Sequence, residues 1–301
     1  MKKKVSIVMA TYNGDKYIRK QLDSILNNNK FEDYVEEFII TDDNSSDDTF
    51  SIIEEYEKNN KKIKSFRNTK KGVKNNFLNG ISKTRGDYIM LSDQDDIWHE
   101  NKIERMFNKI ESLNVDNNEK PILVFSDSRV IDNQLNVIEH SFFSYYDINP
   151  KKHRLDDLFI RNVCQGCVTI FNKELIPFIK ADSIDNWYMH DWWFIMTASL
   201  YGTVDFIDEP LIDYRIHDGN VAGGLRKNIF KKIKSSRENM ERYKSETNKI
   251  CKQSIAFMRE HRLDRSRFRA VDIISGENTT LRKLMAIFYY FNFSTFIKNN
   301  Q

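Results

Sequence analysis

Three times in the first hundred residues a short apolar run ends in a polar turn, and a segment with apolar residues at helical spacing follows. The run 5–10 is rich in β-branched residues and stops at Thr11, Tyr12 and Asn13, after which Tyr17, Ile18, Leu22, Ile25 and Leu26 share one helical face. The run 37–41 stops at an acidic loop from Asp42 to Asp48, and the segment 49–59 then places Phe50, Ile53 and Tyr56 together. The run 88–91 stops at Ser92, Asp93, Gln94, Asp95 and Asp96. Between these, a strand is expected at 63–67 and a helix at about 74–84. Alternating strands and helices are joined by right-handed crossovers, which predicts an α/β fold with a mostly parallel central sheet flanked by helices. Ligands of such sheets sit beyond the carboxyl ends of the strands. The three polar turns should therefore converge on one rim.

With 301 residues and 40% hydrophobic content, the chain can bury a substantial core. Its most apolar N-terminal run lacks the length and cleavage pattern of a signal peptide, and no stretch nears the roughly 20 apolar residues of a spanning helix. A cytoplasmic location is expected, with any membrane contact peripheral and at the inner face. Three cysteines are too few for a disulfide scaffold. Cys164 and Cys167 form a CxxC spacing, but no second pair completes a zinc site, and their apolar neighbours read as buried strand.

Beyond residue 120, strand-like segments recur at 122–126 and 168–171, and a strand with a turn is expected at 201–210. Charge then changes sign. Residues 226–301 carry 18 Lys and Arg against 7 Asp and Glu, which leaves 29 against 37 for residues 1–225. The organisation this predicts is a catalytic unit at 1–224 and a basic, mainly helical extension at 225–301. Leu281, Leu284, Met285, Ile287, Phe288 and Phe291 can form an apolar face there. Two readings of the extension stand: attachment to an anionic membrane surface, or packing on the catalytic unit or a homodimer partner. Nucleic acid is not an expected partner, because the aromatics cluster at 288–293 instead of interleaving with the charges.

Several carboxylates on the tight turn 93–96 repel one another unless a cation joins them, and hard oxygen ligands suit Mg²⁺ or Mn²⁺. A solvated acidic loop that caps the helix beginning near Glu100 is the alternative. The turn belongs to an ordered set: the segment 5–13, the loop 41–47, Gly86 and Asp87, the turn 92–98, the segment 162–167, His190-Asp191-Trp192-Trp193 and Tyr214-Arg215-Ile216-His217. Over about residues 3–224 this set resembles glycosyltransferase family 2, the inverting enzymes of the GT-A fold, especially bacterial surface-polysaccharide and rhamnosyltransferase-like members.

The resemblance implies a transferase that moves a sugar from a UDP- or dTDP-linked donor to a hydroxyl of a glycan or lipid-linked saccharide, with Mn²⁺ or Mg²⁺ as cofactor. It places Ala10, Thr11 and Tyr12 around the base and ribose, and Asp43 on the imide N–H of uracil or thymine, a match for an acceptor-only carboxylate. Asp42 or Asp43 capping the helix at Thr49, together with Asp47 and Asp48, is the other reading of that loop. Asp93 and Asp95 resemble the DxD metal motif, with Gln94 on the donor side and Lys74 in reach of phosphate or ribose. Asp191 resembles the base, with Trp192 and Trp193 as an apolar wall; it also suits the N-cap of the helix that follows. Asn162, Gly166 and Cys167, with Gln165, fall in the segment that lines the acceptor side. Arg215 or His217 would touch the diphosphate or complete the metal shell, although Asp218 stands where family members commonly carry Gly.

A nucleotidyltransferase also joins a parallel sheet to acidic metal loops, but it normally shows a Gly-rich, basic phosphate loop near the N-terminus, whereas Asn13-Gly14-Asp15 has one Gly and an acid. A noncatalytic nucleotide-sugar-binding module has no need of the base at Asp191.

Overall fold

The computed structural model describes residues 3–114, 119–217, 237–268 and 270. Its first half follows the alternation: β1 (Val5–Thr11), α1 (Asp15–Leu26), the short α2 (Phe31–Tyr34), β2 (Val35–Asp42), α3 (Thr49–Asn59), β3 (Ile63–Arg67), α4 (Val73–Ile81) and β4 (Tyr88–Ser92). These four strands pair in parallel in the order β3-β2-β1-β4, with Ile7 opposite both Phe38 and Met90. Ile7, Val8 and Met9 are fully buried, as a central strand covered on both faces requires. Phe38, Ile40 and Ile89 on the neighbouring strands are fully buried too.

The second half is mixed. β5 (Ile97–Trp98), α5 (Lys102–Leu113), β6 (Ile122–Ile131), β7 (Val137–Glu139), α6 (Phe142–Tyr145), α7 (Leu155–Leu158), β8 (Thr169–Asn172), α8 (His190–Tyr201) and β9 (Thr203–Arg215) follow. β8 lies antiparallel between β4 and β6, β9 runs parallel to β6, and β5 pairs antiparallel with the end of β9, extending one sheet to nine strands.

Two strands run longer than the sequence patterns predict. β6 continues past residue 126 through Ser126, Asp127 and Ser128, all buried. Polar residues survive there because Asp127 accepts hydrogen bonds from the backbone N–H groups of Ser128 and Phe143, at 2.8 and 3.1 Å. β9 does not end at Pro210. Its pairing with β6 shifts register there and resumes at Asp213, which carries Tyr214 and Arg215 to the sheet edge occupied by the acid turn.

A last helix, α9 (Arg237–Glu260), belongs to the basic extension and packs on α8 through Phe257, whose ring lies 5.0 Å from that of Trp193. The apolar face proposed for 281–291 lies outside the described residues. Among the described residues, no helix is long and apolar enough to cross a membrane.

Candidate active site

Strand pairing sets Thr11 beside Asp42 and Met9 beside Ser92, so the polar turns after β1, β2 and β4 reach the same edge. Together with the segments before β8 and α8 they line a cleft of about 690 Å³.

The β1 and β2 turns build its floor. Thr11 is buried, its hydroxyl donates to Asp42 at 2.9 Å, and its carbonyl accepts from the N–H of Asp43. Its side chain is therefore committed to the scaffold, and Thr11 presents backbone to the cleft beside Ala10. Tyr12 is 57% exposed, with its ring free to meet a planar ligand. Asp42 is fully buried and accepts from the N–H of Ser45 at 2.9 Å and from Arg67 at 3.3 Å. The capping reading of Asp42 and Asp43 does not hold: Asp47 accepts from the N–H of Thr49, and from that of Asp15 at 3.2 Å. Asp43 faces the cleft, held by the side-chain amide of Asn68 at 3.0 Å and the N–H of Gly72 at 2.8 Å. Two fixed donors orient its carboxylate and leave lone pairs for a ligand N–H.

Gln94 ties the acid turn to this floor. Its amide accepts from the N–H of Tyr12 and donates to the carbonyl of the same residue, both at 2.9 Å. A Cβ at Gly14 would lie 2.3 Å from Gln94 Cδ, so a larger residue there would push the Gln94 amide away from Tyr12. Gln94 thus clamps the backbone of the turn after β1.

The acids of the turn differ sharply. Asp96 is buried; its Oδ1 accepts the N–H of Arg215 at 3.2 Å, and its Oδ2 has no partner. Burial, then the charges of Asp95 and Asp93, push its carboxyl well above the usual range. Burial and the charges of Asp95 and Asp191 push Asp93 up to about 7. Asp95 pairs with His217, Nε2 to Oδ2 at 2.7 Å, and His217 stacks on Tyr17 at 4.9 Å. Asp93, Asp96 and Cys167 place one ligand atom each within 4.8 Å of one another. Burial raises the Cys167 thiol, which keeps it protonated and a poor ligand for a hard cation. Asp93 and Asp96 thus bring two carboxylate oxygens together at the base of the turn, hard donors of the kind Mn²⁺ or Mg²⁺ takes, and the unpartnered Asp96 oxygen leaves one of them open.

Sequence reasoning missed Lys102. It is fully buried beneath the turn, donates to the carbonyl of Cys167 at 2.6 Å and lies 3.6 Å from the centre of the Trp98 ring. Burial brings its ammonium down to about 7, against the opposing pull of the Asp96 and Asp93 charges. The signal was available: Lys102, Ile103, Met106, Phe107 and Ile110 form the buried stripe of α5, and a lysine on an apolar stripe needs a partner.

Asp191 faces the cleft from the first turn of α8, where its Oδ1 accepts the N–H of Trp192 at 2.7 Å. Burial pushes its carboxyl up to about 6, opposed by hydrogen bonds from Trp192, the N–H of Gly166 and the side chain of Asn162. The expected N-cap role falls to Met189 instead, because α8 already begins at His190; Asp191 sits inside the first turn, where it holds one helix N–H and faces the cleft. A Cβ at Gly166 would lie 2.7 Å from His190 Nε2, which explains glycine beside the helix start. Asn162, Gln165, Gly166 and Cys167 all line the cleft, although Cys167 is buried.

Three side chains sit elsewhere than the sequence suggested. Lys74 Nζ donates to the carbonyls of Ile184 and Trp187, at 2.8 and 2.7 Å, and so braces the loop before α8. Arg215 is buried, and its Nε donates to the carbonyl of Asp95 at 2.8 Å, bracing the acid turn from below. Trp193 is fully buried and stacks on Trp187 at 5.3 Å, so it belongs to the core; Trp192 lines the cleft with its indole N–H spent on the Leu158 carbonyl at 2.7 Å.

Comparison with known proteins bears on the family and the fold. Residues 6–176 match the family model of glycosyl transferase family 2. The chain is 30% identical over 267 residues to a dTDP-rhamnosyl transferase, RfbG, of Shigella flexneri, covering 81% of this chain and 83% of that protein. It is 25% identical to a putative glycosyltransferase, EpsH, of Bacillus subtilis, covering 82% and 70%. Among solved structures, S. aureus TarS superposes with a TM-score of 0.56 at 15% identity, covering 99% of this chain and 92% of that one. TarS bound to UDP-GlcNAc superposes with a TM-score of 0.53, also at 15% identity, covering 96% and 80%. The chain belongs to glycosyltransferase family 2 and is a glycosyltransferase of GT-A fold.

Proposed function

We propose that the protein moves a sugar from a UDP- or dTDP-linked donor to a hydroxyl of a glycan or lipid-linked acceptor in cell-surface polysaccharide synthesis, by a single displacement with inversion. The observation that carries this reading is the meeting of Asp43, the turn at Asp93 and Asp95, and Asp191 in one cleft, each from a different element. Asp43 and the backbone of Ala10, Thr11 and Tyr12 take the base and ribose. Asp93 and Asp95, with His217, hold Mn²⁺ or Mg²⁺, which when bound neutralises charge on the departing nucleoside diphosphate. Asp191 takes the proton of the acceptor hydroxyl as that oxygen attacks C1. Held up near 6 by burial, it is ionised at neutral pH and still basic enough to accept a proton.

The dTDP-rhamnosyl transferase relative supports a dTDP-linked donor, and the UDP-GlcNAc complex of the structural neighbour supports a UDP-linked one. In this reading residues 1–224 are the catalytic unit and 225–301 an extension that meets it through α9 and meets a membrane surface or a second copy through its far end. A screen of UDP- and dTDP-sugars for Mn²⁺-dependent release of nucleoside diphosphate, with NMR of the product's anomeric carbon, tests the proposal. Release that is equal with and without chelator removes the metal, and retained configuration removes the single displacement.

A further inference from the structure

Residues 187–191 lead into α8 and end on Asp191, and they are held by a helix that lies beyond the segment matched by the family model. The N–H of Tyr188 donates to Gln253 Oε1 of α9 at 2.6 Å, and the other end of the same amide reaches Met196 Sδ of α8 at 3.9 Å. Gln253 is fully buried, so this side chain fixes the chain just before α8 relative to the helix itself. The Tyr188 hydroxyl donates to Glu246, also on α9. Ser254 anchors α9 from below, its hydroxyl donating to the Phe159 carbonyl at 2.7 Å. Between these ties Ile250 reaches the cleft that Asp191 faces, whose apolar lining also includes Tyr188, Tyr146 and Ile148.

An N–H partly withdrawn from water is costly to leave without a partner, and Gln253 is the partner that α9 supplies to Tyr188. Its position three residues ahead of Asp191 makes the direction in which that carboxylate enters the cleft depend on α9. Catalysis is sensitive to such placement, since a shift of about 1 Å in a reacting group can cost roughly 10²-fold in rate. We propose that Gln253 is a positioning residue for Asp191, and that α9 completes the acceptor half of the cleft, with Ile250 and Tyr188 as an apolar wall for the face of an acceptor sugar ring. This rests on the reading of Asp191 as the base.

The test uses the full chain with Gln253→Met, which keeps the volume and removes the acceptor oxygen, Gln253→Glu, which keeps an oxygen at the same reach, and Asp191→Asn. Amide hydrogen exchange at residues 187–191, the Kd for UDP with Mn²⁺, and nucleoside diphosphate release from UDP-GlcNAc and dTDP-rhamnose are measured on each. Gln253→Met should speed exchange at 187–191 at least tenfold, leave β1 to β4 and the UDP Kd within twofold, and lower kcat at least tenfold at unchanged donor KM. Gln253→Glu should recover most of both. Unchanged exchange at 187–191, or exchange that rises equally across the sheet, overturns the positioning role. A dead Asp191→Asn beside a fully active Gln253→Met also overturns it, whereas turnover that survives in both variants removes the base reading instead.

Discussion

His217 Nε2 lies 2.7 Å from Asp95 Oδ2, and this contact joins the end of β9 to the turn after β4 across the lip of the cleft. Arg215, two residues earlier, donates to the Asp95 carbonyl and, through its own N–H, to Asp96. The acid turn is thus gripped from one side by β9 and from the other by Gln94 on Tyr12 and by Gln21, whose amide donates to the Asp93 carbonyl at 3.0 Å. Such bracing preorganises carboxylates that would otherwise spread apart, and it lets a bound cation act without first ordering the loop.

From this arrangement, UDP or dTDP should bind tightly only with Mn²⁺ or Mg²⁺ present, because Asp93 and Asp95 repel a free diphosphate. Titration calorimetry with and without chelator measures the difference, and equal affinity in the two would count against the metal. Asp95→Asn should weaken metal-dependent binding at least tenfold with little change in melting temperature. His217→Ala should weaken it less, since it removes a neighbour of the carboxylate and leaves the carboxylate in place.

The parallel half of the sheet was legible because each of its strands and helices has its own local signature: a β-branched run, a polar turn, a helical stripe. The mixed half was less so. Ser126 reads as the end of a strand, and it is pairing with β9, together with Ser141 and the Phe143 N–H folded back over Asp127, that carries β6 on. The cleft-lining acids Asp43, Asp93 and Asp191 were visible as motifs. Lys74, Gln94 and Arg215 were visible as polar residues near motifs, but their work is to hold backbone carbonyls, and which carbonyl lies within reach is a property of the tertiary fold. The same holds for Gln253, which nothing in the pattern of α9 sets apart.

Lys102→Met should lower stability by about 1–3 kcal/mol, the usual cost of stranding a buried hydrogen-bonded carbonyl, here that of Cys167. The substitution keeps the packing stem and removes a buried cation beside the acid turn, so Mn²⁺ affinity should hold or rise. Urea unfolding and metal titration on the one variant check both. A loss of Mn²⁺ affinity would mean that Lys102 supports the turn instead of competing with the ion.

The far end of the extension is expected to bring the enzyme to anionic membranes. Truncation after Ala270 removes the apolar residues from Leu281 to Phe291 and keeps α9, so the catalytic unit stays intact. Sedimentation with phosphatidylserine vesicles should fall on truncation and fade as salt rises, at about 1 kcal/mol for each basic residue near the surface. Equal sedimentation of the two forms favours packing or a dimer, which the sedimentation coefficient of the free protein then separates.

Asp191 gives the prediction with the most independent readouts. As general base it must be ionised, so with a carboxyl raised to about 6 the turnover should climb roughly tenfold per pH unit below that value and level off above it. Asp191→Asn should cost about 10²–10⁴ in kcat, abolish that acid limb, and leave the Kd for UDP with Mn²⁺ nearly unchanged. Stability should move the other way. A carboxyl whose folded pKa is raised favours folding only while protonated, and that contribution is lost as pH rises through about 6, so the neutral amide should hold or raise the melting temperature at pH 8. Were Asp191 needed only to hold the Trp192 N–H at the start of α8, Asn would serve nearly as well, and activity, its pH profile and the melting temperature would all stay close to the parent. Loss of turnover together with an unchanged or raised melting temperature is the combination that this structural role alone does not produce.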